Sequence, residues 1–254
     1  MTRRDDDDPM FIGWAETPAM DRRFLLRAGL VLTTAAGVLG FGVAAVQKPP
    51  GKGNWDPDAV REWRGIASAA PYAMLRTNDL DGGPRTALLS CLGKCGVAAR
   101  LGALAGQSVV IKGSLIQRGQ HAMIAVDEGG DWIRRDNDAR ADPALSFPPG
   151  QPLGEVSLVG EILDSKCWFG AMRPSSGKAH KACAALCIRG GIPPAFFARS
   201  SAGQGVLLIM TSGGGAYGPG LLSLVADPVR LSGSIQRVGD LLVLDAPLTQ
   251  IQRL

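Results

Sequence analysis

The chain reads as mainly β, two small tandem barrels behind a single N-terminal transmembrane helix, and three observations predict this. Residues Ala28 to Val46 form a stretch of nineteen without a charge. Beyond it, short runs rich in Val, Ile and Leu alternate with Gly and polar turns, the pattern of short strands. The chain also repeats itself: at an offset of 120 residues, Thr86 to Val126 aligns with Val206 to Ala246 without a gap. Gly93 then meets Gly213, Leu101 meets Leu221, and Val109-Val-Ile-Lys-Gly-Ser-Leu115 meets Val229-Arg-Leu-Ser-Gly-Ser-Ile235. A repeat of this kind is two copies of one supersecondary unit.

Residues 1–23 read as a polar cytoplasmic tail, with Asp5 to Asp8 as a solvated run, and residues 24–46 as the transmembrane helix. About 20 apolar residues at 1.5 Å rise cross a hydrocarbon core of about 30 Å, and Arg22, Arg23 and Arg27 stand at the N-terminal side, where arginine can snorkel. Arg22-Arg23-Phe24-Leu25-Leu26 also resembles a twin-arginine export signal that lacks one spacer residue, and Val43-Ala44-Ala45 would suit a cleavage site. Anchor and signal both export residues 47–254. The expected location is therefore the inner membrane, single-pass, with periplasmic C-terminal domains and the membrane itself as a partner. A net charge of +4 and 6% aromatic residues leave no basic stripe or stacking platform, so nucleic acid is excluded as a partner.

The first barrel with its N-terminal linker is expected over 47–128. The charged, Gly- and Pro-rich stretch 129–152 reads as a solvated linker, and the second barrel covers 153–254. In the second copy the strands are expected at Val156–Leu163, Ala195–Ala198, Val206–Thr211, Val229–Ile235 and Leu241–Leu244. A brief helical piece is expected at Gly220–Ala226. Five short strands and one helical piece describe a small closed or half-closed barrel, with Gly113 and Gly233 mid-strand where such a barrel bends. Upstream, Pro71 to Arg76 is set against Pro194 to Arg199, and Gly65 against Gly160. Gly213-Gly-Gly-Ala-Tyr-Gly218 matches a dinucleotide fingerprint only formally, because Pro219 follows directly and no strand-helix-strand unit continues.

The copies differ at one place. Where the first passes from Ser68 to Pro71, the second runs from Ser165 to Pro194, and this insertion, 165–193, carries Cys167, His180, Cys183 and Cys187. The chain has five cysteines and two histidines in all. His180, Cys183 and Cys187 at i, i+3 and i+7 share one face if the segment is helical, and Cys167 can close the site from the preceding loop. Thiolates with an imidazole suit zinc or copper. Lys166, Lys178, Lys181, Arg173 and Arg189 surround the motif and would favour thiolate. Three other readings stand beside this one: a disulfide from Cys167 to Cys183 or Cys187 stapling the insertion; one such disulfide with His180 and the unpaired Cys forming a reactive thiol or a two-ligand site completed by a partner or substrate; and a thiol-dependent oxidoreductase. The Cys-x3-Cys of Cys91 and Cys95 reads as an incidental disulfide or a pair of buried thiols. Asp164 is assigned a turn role and His121 a surface role.

Leu158-Val-Gly-Glu-Ile-Leu-Asp-Ser-Lys-Cys167 followed by His180-Lys-Ala-Cys-Ala-Ala-Leu-Cys-Ile-Arg-Gly-Gly-Ile-Pro-Pro194 resembles exported bacterial oligonucleotide/oligosaccharide-binding-type (OB-like) barrels. In these, an Asp-x-x-Cys strand end leads to a His-x-x-Cys helix and then Gly and Pro. The resemblance implies that both barrels are OB-like and that Cys167, His180, Cys183 and Cys187 are the signature residues of a single site. The function expected from all this is a membrane-anchored, exported accessory protein. It would bind a metal or a redox partner of the envelope through the insertion, without catalysis of its own. A structural interaction module is the remaining alternative.

Overall fold

The computed structural model describes residues 19–46, 51–127, 129, 131–138, 142–199 and 205–254. The chain divides into two units, Met1–Lys48 and Pro49–Leu254. In the first, the apolar run is helical, α1 covering Ala19–Val46. Most of the cytoplasmic tail expected over 1–23 lies outside the described residues, as do the side chains of 35–46. Among the described residues no helix is long and apolar enough to cross a membrane.

The second unit holds two closed five-stranded barrels of identical order. In the first, β1 (Asn54–Ser68), β2 (Met74–Thr77), β3 (Arg85–Ser90), β4 (Ser108–Arg118) and β5 (His121–Val126) run in the order 1-2-3-5-4, and β4 pairs back with β1. The β3–β5 pairing is parallel and the others are antiparallel. A short helix, α2 (Ala98–Leu101), lies between β3 and β4. A sixth strand, β6 (Ile133–Arg135), extends the edge of β4. The second barrel repeats the plan with β7 (Gln151–Asp164), β8 (Pro194–Arg199), β9 (Gly205–Thr211), β10 (Pro228–Val238), β11 (Leu241–Asp245) and β12 (Ile251–Arg253), closed by β10–β7.

The offset of 120 carries Arg85 at the start of β3 onto Gly205 at the start of β9, and β4 onto β10 end to end. Gly65 pairs with Val109 and Gly160 with Val229, so these two glycines are also equivalent. The upstream alignment shifts by one. Arg76 pairs with Thr86 and Ala198 with Val206, which makes Ala198, not Arg199, the counterpart of Arg76. Gly113 and Gly233 stand where neighbouring backbone comes closest: a Cβ would lie 2.5 Å from the Ala125 carbonyl oxygen in one and 2.3 Å from that of Asp245 in the other. Any side chain there would push the strands apart.

The stretch read as a solvated linker is partly structural. Besides β6 it supplies Trp132, buried in the first barrel's core, and Asp136, which takes both oxygens to the Arg64 guanidinium at 2.9 and 3.0 Å. Its apolar content is too sparse to show periodicity, yet one Trp and one Ile suffice to seal the barrel edge.

Each barrel has its own core, built around Trp63, Leu75, Leu89, Ile111 and Ile124 in the first and Phe196, Met210, Leu221, Leu231 and Leu244 in the second. A third apolar cluster joins them. It combines Tyr72, Leu88, Ile116 and Met123 of the first barrel with Leu163, Ile209 and Leu241 of the second, and with Trp168, Phe169, Cys167, Cys187 and Ile192 of the insertion. Polar contacts cross the same boundary. The Tyr72 hydroxyl donates to the Met210 carbonyl at 2.8 Å, and Asp240 accepts from the Thr86 amide at 3.0 Å. The barrels therefore pack as one body, with the insertion between them.

Candidate metal centre

The insertion leaves β7 at Asp164 and returns at β8, and Asp164 organises both of its ends. One carboxylate oxygen accepts from the Cys167 amide at 2.8 Å, three residues on, which is how an Asp caps the first turn of a helix. The other lies 2.9 Å from His180 Nε2. Both side chains are buried, His180 at 2% exposure and Asp164 at 0%. Asp164 is therefore no simple turn residue. A carboxylate on one ring nitrogen fixes the tautomer with the proton there and leaves the lone pair at Nδ1, the arrangement found behind metal-ligating histidines.

The segment after Asp164 forms one wide turn, Cys167–Ala171. A 3-10 turn at Lys178–His180 then leads into α3, Lys181–Arg189. Ala184 of α3 is buried in the second barrel's core, and Lys181 pairs with Asp227 at 2.7 Å, which together fix the helix's rotation. The face bearing His180, Cys183 and Cys187 turns toward Cys167. The Cys167, His180 and Cys183 donor atoms lie within 4.8 Å of one another. Cys187 falls in a second group of the same tightness with Asp164 and Cys167. The four signature residues and Asp164 thus make two overlapping triads that share Cys167, and the first triad has the zinc- or copper-type donor set. All three cysteines are free thiols, with Cys167 and Cys187 buried and Cys183 half-buried; the Cys167 and Cys183 sulfurs are 3.9 Å apart.

Cys167 and Cys187 shift each other in opposite directions. Cys167 is pushed well above the usual thiol range by its hydrogen bond to Cys187, by burial and by the Asp164 carboxylate. Cys187 is drawn down by accepting that bond, against its own burial, with help from the Lys94 charge.

Lys94 comes from the first barrel. Cys91 and Cys95 form a disulfide, and the loop they close aims Lys94 Nζ at Cys183 Sγ, 3.0 Å away. That bond holds the Lys94 ammonium above its ordinary range. Lys166, buried at 3% exposure, docks the same loop by donating to the carbonyls of Cys91, Leu92 and Gly93 at 2.6 to 2.8 Å. The Gly96 amide donates to the Gly190 carbonyl at 2.8 Å, sealing the loop against the end of α3.

The sequence pattern gives Cys91 and Cys95 no role in the site and points to cations near the motif in the chain, Lys166, Lys178, Lys181, Arg173 and Arg189. Of those, Lys166 turns to carbonyls, Lys181 to Asp227 and Arg173 to the Gly53 carbonyl. Lys94 lies 89 residues from its thiol, and no local spacing marks it. The second histidine, His121, is also no surface group. It stacks on Phe169 and meets Trp168 edge-on, both at 5.5 Å, under the insertion. Gly213 and Gly214 form a tight turn held by Asp245, followed by a 3-10 turn at Pro219–Leu224, in keeping with the rejection of a dinucleotide site. The chain matches no protein-family model and no curated protein.

Proposed function

We propose that this is a membrane-anchored, exported accessory protein whose insertion binds a soft or borderline metal ion, without catalysing a reaction itself. The observation that carries the reading is the convergence of Cys167, His180 and Cys183 within 4.8 Å, with Asp164 orienting the imidazole from behind. The barrels serve as an OB-like scaffold: their 1-2-3-5-4 order and the brief helix before β4 support that type. The anchor rests on the uncharged run Ala28–Val46 behind its arginines. A site sealed between two barrels, with only Cys183 half-open among its cysteines, suits holding or handing over an ion to an envelope protein more than turning over a substrate.

The test is metal analysis of the full chain purified in detergent, with thiols counted by alkylation before and after reduction. About one metal per chain is expected, lost in both His180→Ala and Cys183→Ser, while circular dichroism stays that of a folded β protein. Absence of metal together with a Cys167–Cys183 disulfide would overturn the reading in favour of a stapled structural module.

A further inference from the structure

The donors around Cys183 include one more sulfur than the cysteine pattern shows. Met172 follows the Cys167–Ala171 turn in extended backbone and places its Sδ 3.6 Å from Cys183 Sγ. Cys167 Sγ lies 3.9 Å from the same sulfur. Two sulfurs each about 2.3 Å from one ion are about 3.8 Å apart at a tetrahedral angle and about 4.0 Å at a trigonal one. Both separations fall within a few tenths of an ångström of that range, so Cys183 Sγ stands at ligand-pair spacing from each of the other two sulfurs.

The chemistry of the third sulfur discriminates between metals. Zinc takes thiolate, imidazole and carboxylate, whereas thioether beside thiolate selects copper(I).

We infer that the insertion is a copper(I) site in which the Met172 thioether is a ligand beside the Cys167 and Cys183 thiolates, with His180 Nδ1 completing the set. This rests on the metal-binding reading above. Binding releases two thiol protons to solvent and leaves the oxidation state of copper unchanged. Met172 is 43% exposed and stands at the mouth, so it can be replaced without opening the core.

The experiment titrates the reduced full chain in detergent with copper(I) supplied as its bicinchoninate complex, and separately with zinc(II) against a chromophoric chelator. X-ray absorption of the copper form counts its sulfur neighbours. The wild type should prefer copper(I) and show three sulfurs. Met172→Leu should show two and bind copper(I) about tenfold or more weakly, with zinc affinity unchanged. If zinc is preferred, or if Met172→Leu leaves copper affinity and sulfur count unaltered while His180→Ala abolishes binding, the copper assignment fails and the metal site stands. If neither ion binds, both readings fall.

Discussion

His121 opens β5 with its imidazole packed against Phe169 and Trp168, and burial lowers its pKa to about 4, with Arg85 and Arg118 adding repulsion against the proton. The folded chain therefore keeps this ring neutral at a pH where the unfolded chain, near 6.5, binds a proton. The contribution of His121 to stability is complete above about pH 6.5, declines as pH falls, and levels off below about pH 4. From pH 7 to pH 5 the loss amounts to about 2 kcal/mol for a shift of this size. Urea unfolding of the wild type and His121→Gln at the two pH values should show that much extra acid sensitivity in the wild type. Equal slopes for the two proteins would mean that the ring is protonated in place or solvated. The sequence shows His121 as one polar residue ahead of an apolar strand. What buries it is Phe169, 48 residues away in an insertion, so its environment could not be read locally. Asp164 is a parallel case: the scarcity of Cys and His makes those ligands conspicuous, while the carboxylate that orients them looks like any strand-end Asp.

At the scale of elements, the end of α3 and the disulfide loop meet backbone to backbone. A Cβ at Gly190 would lie 1.8 Å from the Lys94 carbonyl oxygen, although the residue's own φ of −78° suits alanine. The cost of Gly190→Ala is then purely one of docking, of the order of 1–3 kcal/mol for overpacking a tight contact. Gly218 provides the control, with the same φ and nothing within 4 Å. Chemical denaturation should show Gly190→Ala destabilised by about 2 kcal/mol and Gly218→Ala within about 0.5 kcal/mol of the wild type. Equal effects would show that the loop is not seated on the helix. The strands themselves were largely legible, because the offset of 120 carries β3, β4 and β5 onto β9, β10 and β11. The edge strand β6, Ile-Arg-Arg, was not: three residues with a single apolar side chain have no alternation to detect.

At the scale of the molecule, duplication suggests two self-sufficient barrels, and an insertion then looks like an ornament on one of them. The third apolar cluster argues otherwise. Trp168 and Phe169 are buried between the barrels, the Arg118 guanidinium lies 4.4 Å over the Trp168 ring, and Phe197 of the second barrel packs against the same ring at 5.6 Å. The insertion that carries the candidate ligands thus joins the two copies alongside their direct contacts, through three-dimensional contact that no comparison of one copy with the other reveals. Joining makes their unfolding cooperative, because neither barrel can open without exposing the shared cluster. Calorimetry of the wild type should give one transition for residues 49–254, with the van't Hoff and calorimetric enthalpies equal. Trp168→Ala removes the largest side chain in the joint, at a cost of about 3–5 kcal/mol. The two barrels should then separate into two transitions, and the candidate metal centre should loosen with them because Cys167 precedes the lost ring. Two transitions already present in the wild type would show that the barrels fold independently, and that the insertion belongs to one of them alone.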